Sequence, residues 1–227
     1  MPTTTPTNPP HGQPFPLTPE DTWALEAHAL LWLGNPQDLT LPKGPGVECL
    51  NPLLQKDPER PILIRKEFSD LWDEISFWAK QIPWSERGVA IWGNPGSGKS
   101  LFLRYALARA LLAGTPIILC EHPSHLFYFS ASGVQRVSLA QINDRGYDLR
   151  FDLGLPSPPP IALWDTNLTE NPPMPTPHRV FLRPWSLPFF IVQATEVRDA
   201  QWRGWVKEWN GRIWLFDAWT EEEVGKL

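Results

Sequence analysis

"IWGNPGSGKSLFLRYALARALLAG", Ile91–Gly114, decides how the rest of the chain is read. It contains Gly93-x-x-x-x-Gly98-Lys99-Ser100. A short apolar run, "GVAIW", comes before it and reads as a buried strand. Leu103, Ala106, Leu107, Ala110 and Leu111 follow on one helical face, with Gly114 as the stop. Strand, glycine-rich turn and helix in that order form an anion cradle. Glycines let the backbone turn tightly and aim N–H groups inward, and the helix N-terminus adds partial positive charge. The spacing predicts a phosphate-binding loop made of Gly93, Asn94, Pro95, Gly96, Ser97, Gly98, Lys99, Ser100 and Leu101. Lys99 is expected to stand exposed at the loop and reach the β and γ phosphates, with the Ser100 hydroxyl on Mg²⁺.

Working outward, "PIILC", "IALWD", "PFFIVQAT" and "RIWLFD" are further apolar runs of strand length. "HLFYFS-ASG-VQRVSL" reads as a hairpin turning at Ala131-Ser132-Gly133. "VRDAQWRGWVKEW" reads as a helix with Trp202, Trp205, Val206 and Trp209 on one side. Strands alternating with helices predict an α/β chain: a mostly parallel sheet with helices on both faces.

"IALWD" has the form of an acid-tipped strand that serves a phosphate loop. Asp165 is expected at the carboxyl end of the sheet, holding Mg²⁺ with Ser100. In many ATPases a Glu follows that Asp to polarise the attacking water; here Thr166 and Asn167 follow, and the nearest acid downstream is Glu170. Binding is therefore better supported than hydrolysis. At the end of "FFIVQATE", Gln193, Thr195 and Glu196 are candidates to sense the γ-phosphate, and Thr195 is chosen by position. Arg198 and Arg203 read as a solvated helix face. Lys99, Asp165 and Thr195 are thus the expected catalytic set, and Ser100 and Asp165 the expected metal ligands.

The N-terminal part is different in texture. Residues 1–20 are too rich in Pro and Thr to bury a core and read as a disordered arm. Residues 21–84 read as a helical extension, with one helix in "DTWALEAHALLWLG" ended by Gly34 and a clearer amphipathic one in "EFSDLWDEISFWAKQI". Between them "NPQDLTLPKGPGVECLNPLL" reads as turn-rich chain that wraps the main domain, 85–227.

Composition narrows the function. A formal charge of −5 argues against a broad nucleic-acid surface, which needs clustered Lys and Arg. Cys49 and Cys120 have no metal-type spacing and read as reduced apolar side chains. The N-terminus has no signal-peptide pattern, and no run approaches the roughly 18 apolar residues of a membrane helix. These features predict an intracellular protein, cytoplasmic or nuclear, with no membrane partner.

The segments "ILIRKEFSDLWDEI", "GNPGSGKSLFLRYALARALLAG", "LFYFSASGVQRVSL", "IALWDTN" and "LPFFIVQATEVRDAQWRGWVKEW", in this order, resemble the P-loop NTPase region of fungal Crinkler-type proteins, also called retrotransposon-hot-spot-like, which are related to AAA and STAND ATPases. The resemblance runs from about Pro61 to the C-terminus. It implies a three-layer P-loop NTPase with a five-stranded parallel core, an inserted hairpin, ATP at Gly93, Gly98, Lys99 and Ser100, and Asp165 as the metal-site acid. Similar proteins continue further, and the expectation is that a C-terminal lid is missing here. Thr220 with Glu221-Glu222-Glu223 reads as an N-cap and first helical turn. Three functions compete: an ATP-binding NTPase with weak or regulated hydrolysis, a nucleotide-gated module that meets a protein partner, and a small-molecule or nucleotide kinase. The kinase ranks last because no Arg-rich lid is present. The absence of an Asn-Lys-x-Asp motif favours ATP over GTP.

Overall fold

In the computed structural model the described residues are 16–44, 47–54, 63–81, 87–143, 154–156, 160–166, 189–195, 203, 206–207 and 210–224. Their centre is a mixed, mostly parallel seven-stranded sheet ordered β6-β5-β4-β7-β8-β3-β9. The strands are β3 (Gly88–Gly93), β4 (Ile117–His122), β5 (His125–Ser130), β6 (Gly133–Ser138), β7 (Ile161–Asp165), β8 (Phe190–Ala194) and β9 (Arg212–Phe216). Five of them, β4, β7, β8, β3 and β9, run parallel; β5 and β6 continue the sheet antiparallel from β4.

The expected five-stranded sheet is therefore seven strands wide. The hairpin pairs along β4 through Ile117↔Phe129, Ile118↔Tyr128 and Leu119↔Phe127, so it extends the sheet. The physical reason is in β5 itself: all six of its residues are buried, so it needs a layer on each face and a strand on each side.

Side-chain alternation divides the core in two. Val89, Ile91, Ile117, Leu119, Ile161, Leu163, Val192 and Ala194 point to one face, under α1 (Thr22–Leu31), α2 (Lys66–Ala79) and α3 (Lys99–Leu112). Ala90, Ile118, Cys120, Ala162, Trp164 and Ile191 point to the other, where Leu139 and Ile142 of α4 (Leu139–Asn143) cover them. Both faces of the central strands are filled, which explains why their sequences read as continuous apolar runs.

The first helix joins the same core as the sheet. Ala24, Ala27 and Leu31 are fully buried, and Trp23 meets Phe127 edge-on at 5.6 Å. His28 shares a hydrogen bond with the Ser130 carbonyl at 2.8 Å. The helix ends differently from expectation: Leu33, not Gly34, takes the left-handed conformation, at φ 54°. Its amide donates to the Leu111 carbonyl, tying the end of α1 to the end of α3. Gly114 accommodates this contact, since a Cβ there would lie 2.5 Å from Leu33 Cδ2. The segment between α1 and α2 holds a two-stranded antiparallel sheet, β1 (Thr40–Gly44) and β2 (Val47–Leu50). The predicted helix after Thr195 falls mostly outside the described residues, as do Asn167, Glu170, Glu196, Arg198, Trp202, Trp205 and Trp209; Arg203 is exposed and Val206 packs toward the α4 face. Among the described residues no helix is long and apolar enough to cross a membrane.

Candidate functional site

The site is built where the sheet's connections diverge. From β3 the chain passes through α3 to β4, three strands to one side; from β8 it goes to β9, on the other side of β3. A crevice opens at the carboxyl end of the sheet at such a point. The loop 94–98 lies there, between β3 and α3.

Three glycines shape it for different reasons. Gly98 caps α3 at φ 95° and Gly96 stands at φ 80°, both left-handed and costly for any other residue. Gly93 is required by crowding: a Cβ would lie 2.7 Å from the Phe216 carbonyl oxygen and 3.0 Å from Ser97 Oγ. Among the described residues nothing lies within 4 Å of a Cβ built on Gly96. Below it, Phe68, Phe102 and Phe216 form a packed aromatic floor with centroids 5.7–5.8 Å apart.

Lys99 is not exposed as expected. It is 5% accessible, and its ammonium donates to the carbonyls of Gly93 at 2.8 Å and Asn94 at 2.9 Å. The side chain curls into the loop and fills the space that inward-turned carbonyls create. Ser100 is the second residue of α3, and Leu101 the third. Ser97 Oγ is buried and finds no hydrogen-bond partner among the described residues. An orphaned hydroxyl inside a glycine-rich loop suits a site that takes an anion.

The strand ends bring the remaining predicted residues to the same edge. Asp165 lies at the tip of β7, in register with Ala194 of β8, which is itself in register with Ile91 of β3. Asp165 is 3% accessible and Thr195 fully buried. The Thr195 amide donates to the Ile91 carbonyl, so Thr195 stands between the loop strand and the Asp165 strand. Thr166 is already engaged: its hydroxyl donates to the Ala194 carbonyl at 2.8 Å and accepts from Gln193 Nε2 at 3.3 Å.

Two groups at this edge were missed in the sequence. The first is Arg65, just before α2. Its guanidinium donates to the carbonyls of Ser97 and Asp217, both at 3.1 Å, and pairs with Glu223 at 2.9 Å. It lies 4.9 Å from the ring centroid of Trp219, whose indole N–H donates to the Gly96 carbonyl at 2.7 Å. Glu223 belongs to α5 (Glu221–Val224), where Thr220 and Glu223 cap each other reciprocally. Burial raises the Glu223 carboxyl, but the Thr220 amide and Arg65 outweigh it and hold the group below its ordinary range. The expected N-cap at Thr220 thus exists, and its helix packs back toward the loop.

The second is Arg104 of α3 with Glu121 near the end of β4, an ion pair in which the arginine is buried and the carboxylate partly so. Burial lowers the Arg104 pKa, and Glu121 and then Asp165 act against that shift. The signal was readable, since "PIILCE" is an apolar run ending in an acid, just as "IALWD" is.

Both cysteines are buried thiols, and burial pushes Cys120 well above its ordinary value. Among the described residues no cluster of three or more His, Cys, Asp or Glu side chains is placed to hold a metal. Ser100 and Asp165 are both hard oxygen donors, a set that fits Mg²⁺ completed by phosphate oxygens and water. No protein-family model matches the chain, and no curated protein sequence matches it.

Proposed function

We propose that this chain is an ATP-binding P-loop NTPase of the broad kind represented by AAA and STAND ATPases. The observation that carries the reading is the loop at the divergence of the sheet, with left-handed Gly96 and Gly98 and Lys99 at the start of α3. Asp165 on a strand separated from the loop strand by one other, with Thr195 at the tip of that intervening strand, agrees with it. Backbone N–H groups of the loop and the N-terminus of α3 hold the phosphates. Lys99 releases the Gly93 and Asn94 carbonyls and turns its ammonium to the β and γ phosphates. Ser100 and Asp165 hold Mg²⁺, which when bound neutralises phosphate charge.

A second reading, a nucleotide-held switch, is favoured by one observation. Arg65 and Trp219 tie the loop carbonyls of Ser97 and Gly96 to the C-terminal segment, so a change in the loop would be felt there.

Calorimetry with Mg·ATP separates site from scaffold. Lys99→Ala is expected to lose at least about 30-fold in affinity, roughly the 2 kcal/mol of one charge-assisted hydrogen bond. Asp165→Asn is expected to weaken binding in the presence of Mg²⁺ more than in its absence. Unchanged affinity in a folded Lys99→Ala protein removes the loop from the site, and equal losses with and without Mg²⁺ remove Asp165 from the metal.

A further inference from the structure

The residue after Asp165 is Thr166, which is neither a base nor unengaged, and the sequence leaves hydrolysis without a proton acceptor. The sheet supplies a different one. Along β4, Ile117 and Leu119 face α3; along β7, Ile161 and Leu163 do the same. Alternation carries Asp165 to that face as well, and the ion pair with Arg104 of α3 brings the Glu121 carboxylate there across the register shift between Leu119 and His122. The register runs through Leu119↔Leu163 and Cys120↔Trp164, and Glu121 and Asp165 are the residues that follow on the two strands. Two carboxylates from adjacent strands therefore end on the same face of the same edge.

Arg104 independently reports the same juxtaposition. It lies one helical turn beyond Ser100, on the same side of α3. It pairs with Glu121, and it also feels the charge of Asp165. It is held from behind by Trp23, with the guanidinium carbon 4.0 Å from the ring centroid. Its Nε is buried and has no hydrogen-bond partner among the described residues. Glu121 is less enclosed than Asp165, at 14% side-chain exposure, so water reaches it. A buried ion pair serves stability poorly when apolar side chains could fill the same space. A carboxylate held firmly at a site edge serves chemistry better.

The geometry points to Glu121 as the carboxylate that activates water for ATP hydrolysis, with Arg104 as the residue that positions it. This rests on the ATP-site reading above. The water oxygen bonds to the γ-phosphorus while its proton passes to a Glu121 carboxylate oxygen. The bond from the γ-phosphorus to the bridging oxygen breaks, and the electron pair leaves with ADP. Inorganic phosphate departs, and Glu121 returns its proton to solvent.

The test compares the full chain with Glu121→Gln, Glu121→Asp and the paired variant Glu121→Gln/Arg104→Gln, using Lys99→Ala as the blank. Mg·ATP affinity is measured by calorimetry, phosphate release by steady-state kinetics, and the bound nucleotide is recovered and identified. Glu121→Gln is expected to bind Mg·ATP within about threefold of the parent, to retain ATP uncleaved, and to release phosphate about 100-fold more slowly, the scale of one acid–base group. Glu121→Asp is expected to recover part of that rate. If Glu121→Gln is poorly folded, the paired variant, which removes both charges of the ion pair, carries the same expectation. Equal release from parent and Glu121→Gln, or a loss of affinity as large as the loss of rate, overturns the role of Glu121. So does a parent that binds ATP but releases no phosphate, which leaves the ATP site standing. A parent that binds no ATP overturns the site itself.

Discussion

Arg104 stacks on Trp23 and pairs with Glu121; Arg65 stacks on Trp219 and pairs with Glu223. Both arginines are buried, at 7% and 6% accessibility, and both reach the carboxyl edge of the sheet. Both donate to a carboxylate, and Arg65 donates to main-chain carbonyls as well. Arg104 serves a carboxylate on one strand and feels another on the next. Arg65 donates to main-chain carbonyls at Ser97 and Asp217, and so fixes the path of the loop. A guanidinium can thus place charge or place backbone. The planar fork permits both, and the acceptors decide which.

Removal of each arginine breaks the comparison most directly. Arg104→Met is expected to cost about 3 kcal/mol, because it leaves Glu121 without its partner at an enclosed strand end. Arg65→Met is expected to cost less, about 2 kcal/mol, because Glu223 is more exposed and Thr220 still caps it. Urea unfolding of both variants gives the order, and a reversed order would make Arg65 the principal anchor of this edge. A gentler probe is Trp219→Phe, which keeps a ring near Arg65 but removes the N–H donated to Gly96. It is expected to cost under about 1 kcal/mol and to leave the melting curve cooperative. A broad or biphasic melt would show that the C-terminal segment depends on that single bond.

An effect of similar size is a pH slope. His125 is drawn down to about 4 by burial, then by Arg136 and His122, with Asp21 opposing them. A folded pKa below the ordinary 6.5 means that the unfolded chain binds the proton more readily between those values. The stabilisation is complete above pH 6.5 and is lost as pH falls through about 4. After solvent screening the effect is of order 1 kcal/mol, roughly 3 °C in the melting temperature. His125→Gln is expected to flatten the decline in melting temperature between pH 6.5 and 4.5; an undiminished decline assigns it to other groups.

How legible this was in the sequence follows from where each residue's partners lie. "GVAIW", "PIILC", "IALWD" and "FFIVQAT" announced strands because both faces of each are covered. The loop announced itself because its glycines and Lys99 lie within one short run of the chain, Gly93 to Lys99. β1 and β2 did not, since Pro42 and Gly44 read as turn residues even where the backbone pairs. The width of the sheet was hidden because β5 and β6 form a local hairpin whether or not β5 also pairs with β4. Arg65 and Arg104 were hidden for another reason. Arg65 meets Glu223 across 158 positions, and Arg104 meets Glu121 only when a helix returns over its own sheet. The exposure expected of Lys99 failed because loop carbonyls, available to any ammonium that curls back, were left out of the reading.

The position of β8 has a consequence in time. Among the described residues β3 and β7 do not pair with one another, and Phe190–Ala194 joins them across the sheet. A ribosome has made the loop, α3, β4, the hairpin and β7 before it makes that strand. Until then the growing chain has the glycine-rich loop on β3, before either of its strand partners β8 and β9 is made, and Asp165 on the sheet that β7 shares with β4. Completion of the site therefore waits on a five-residue wedge from the last fifth of the chain.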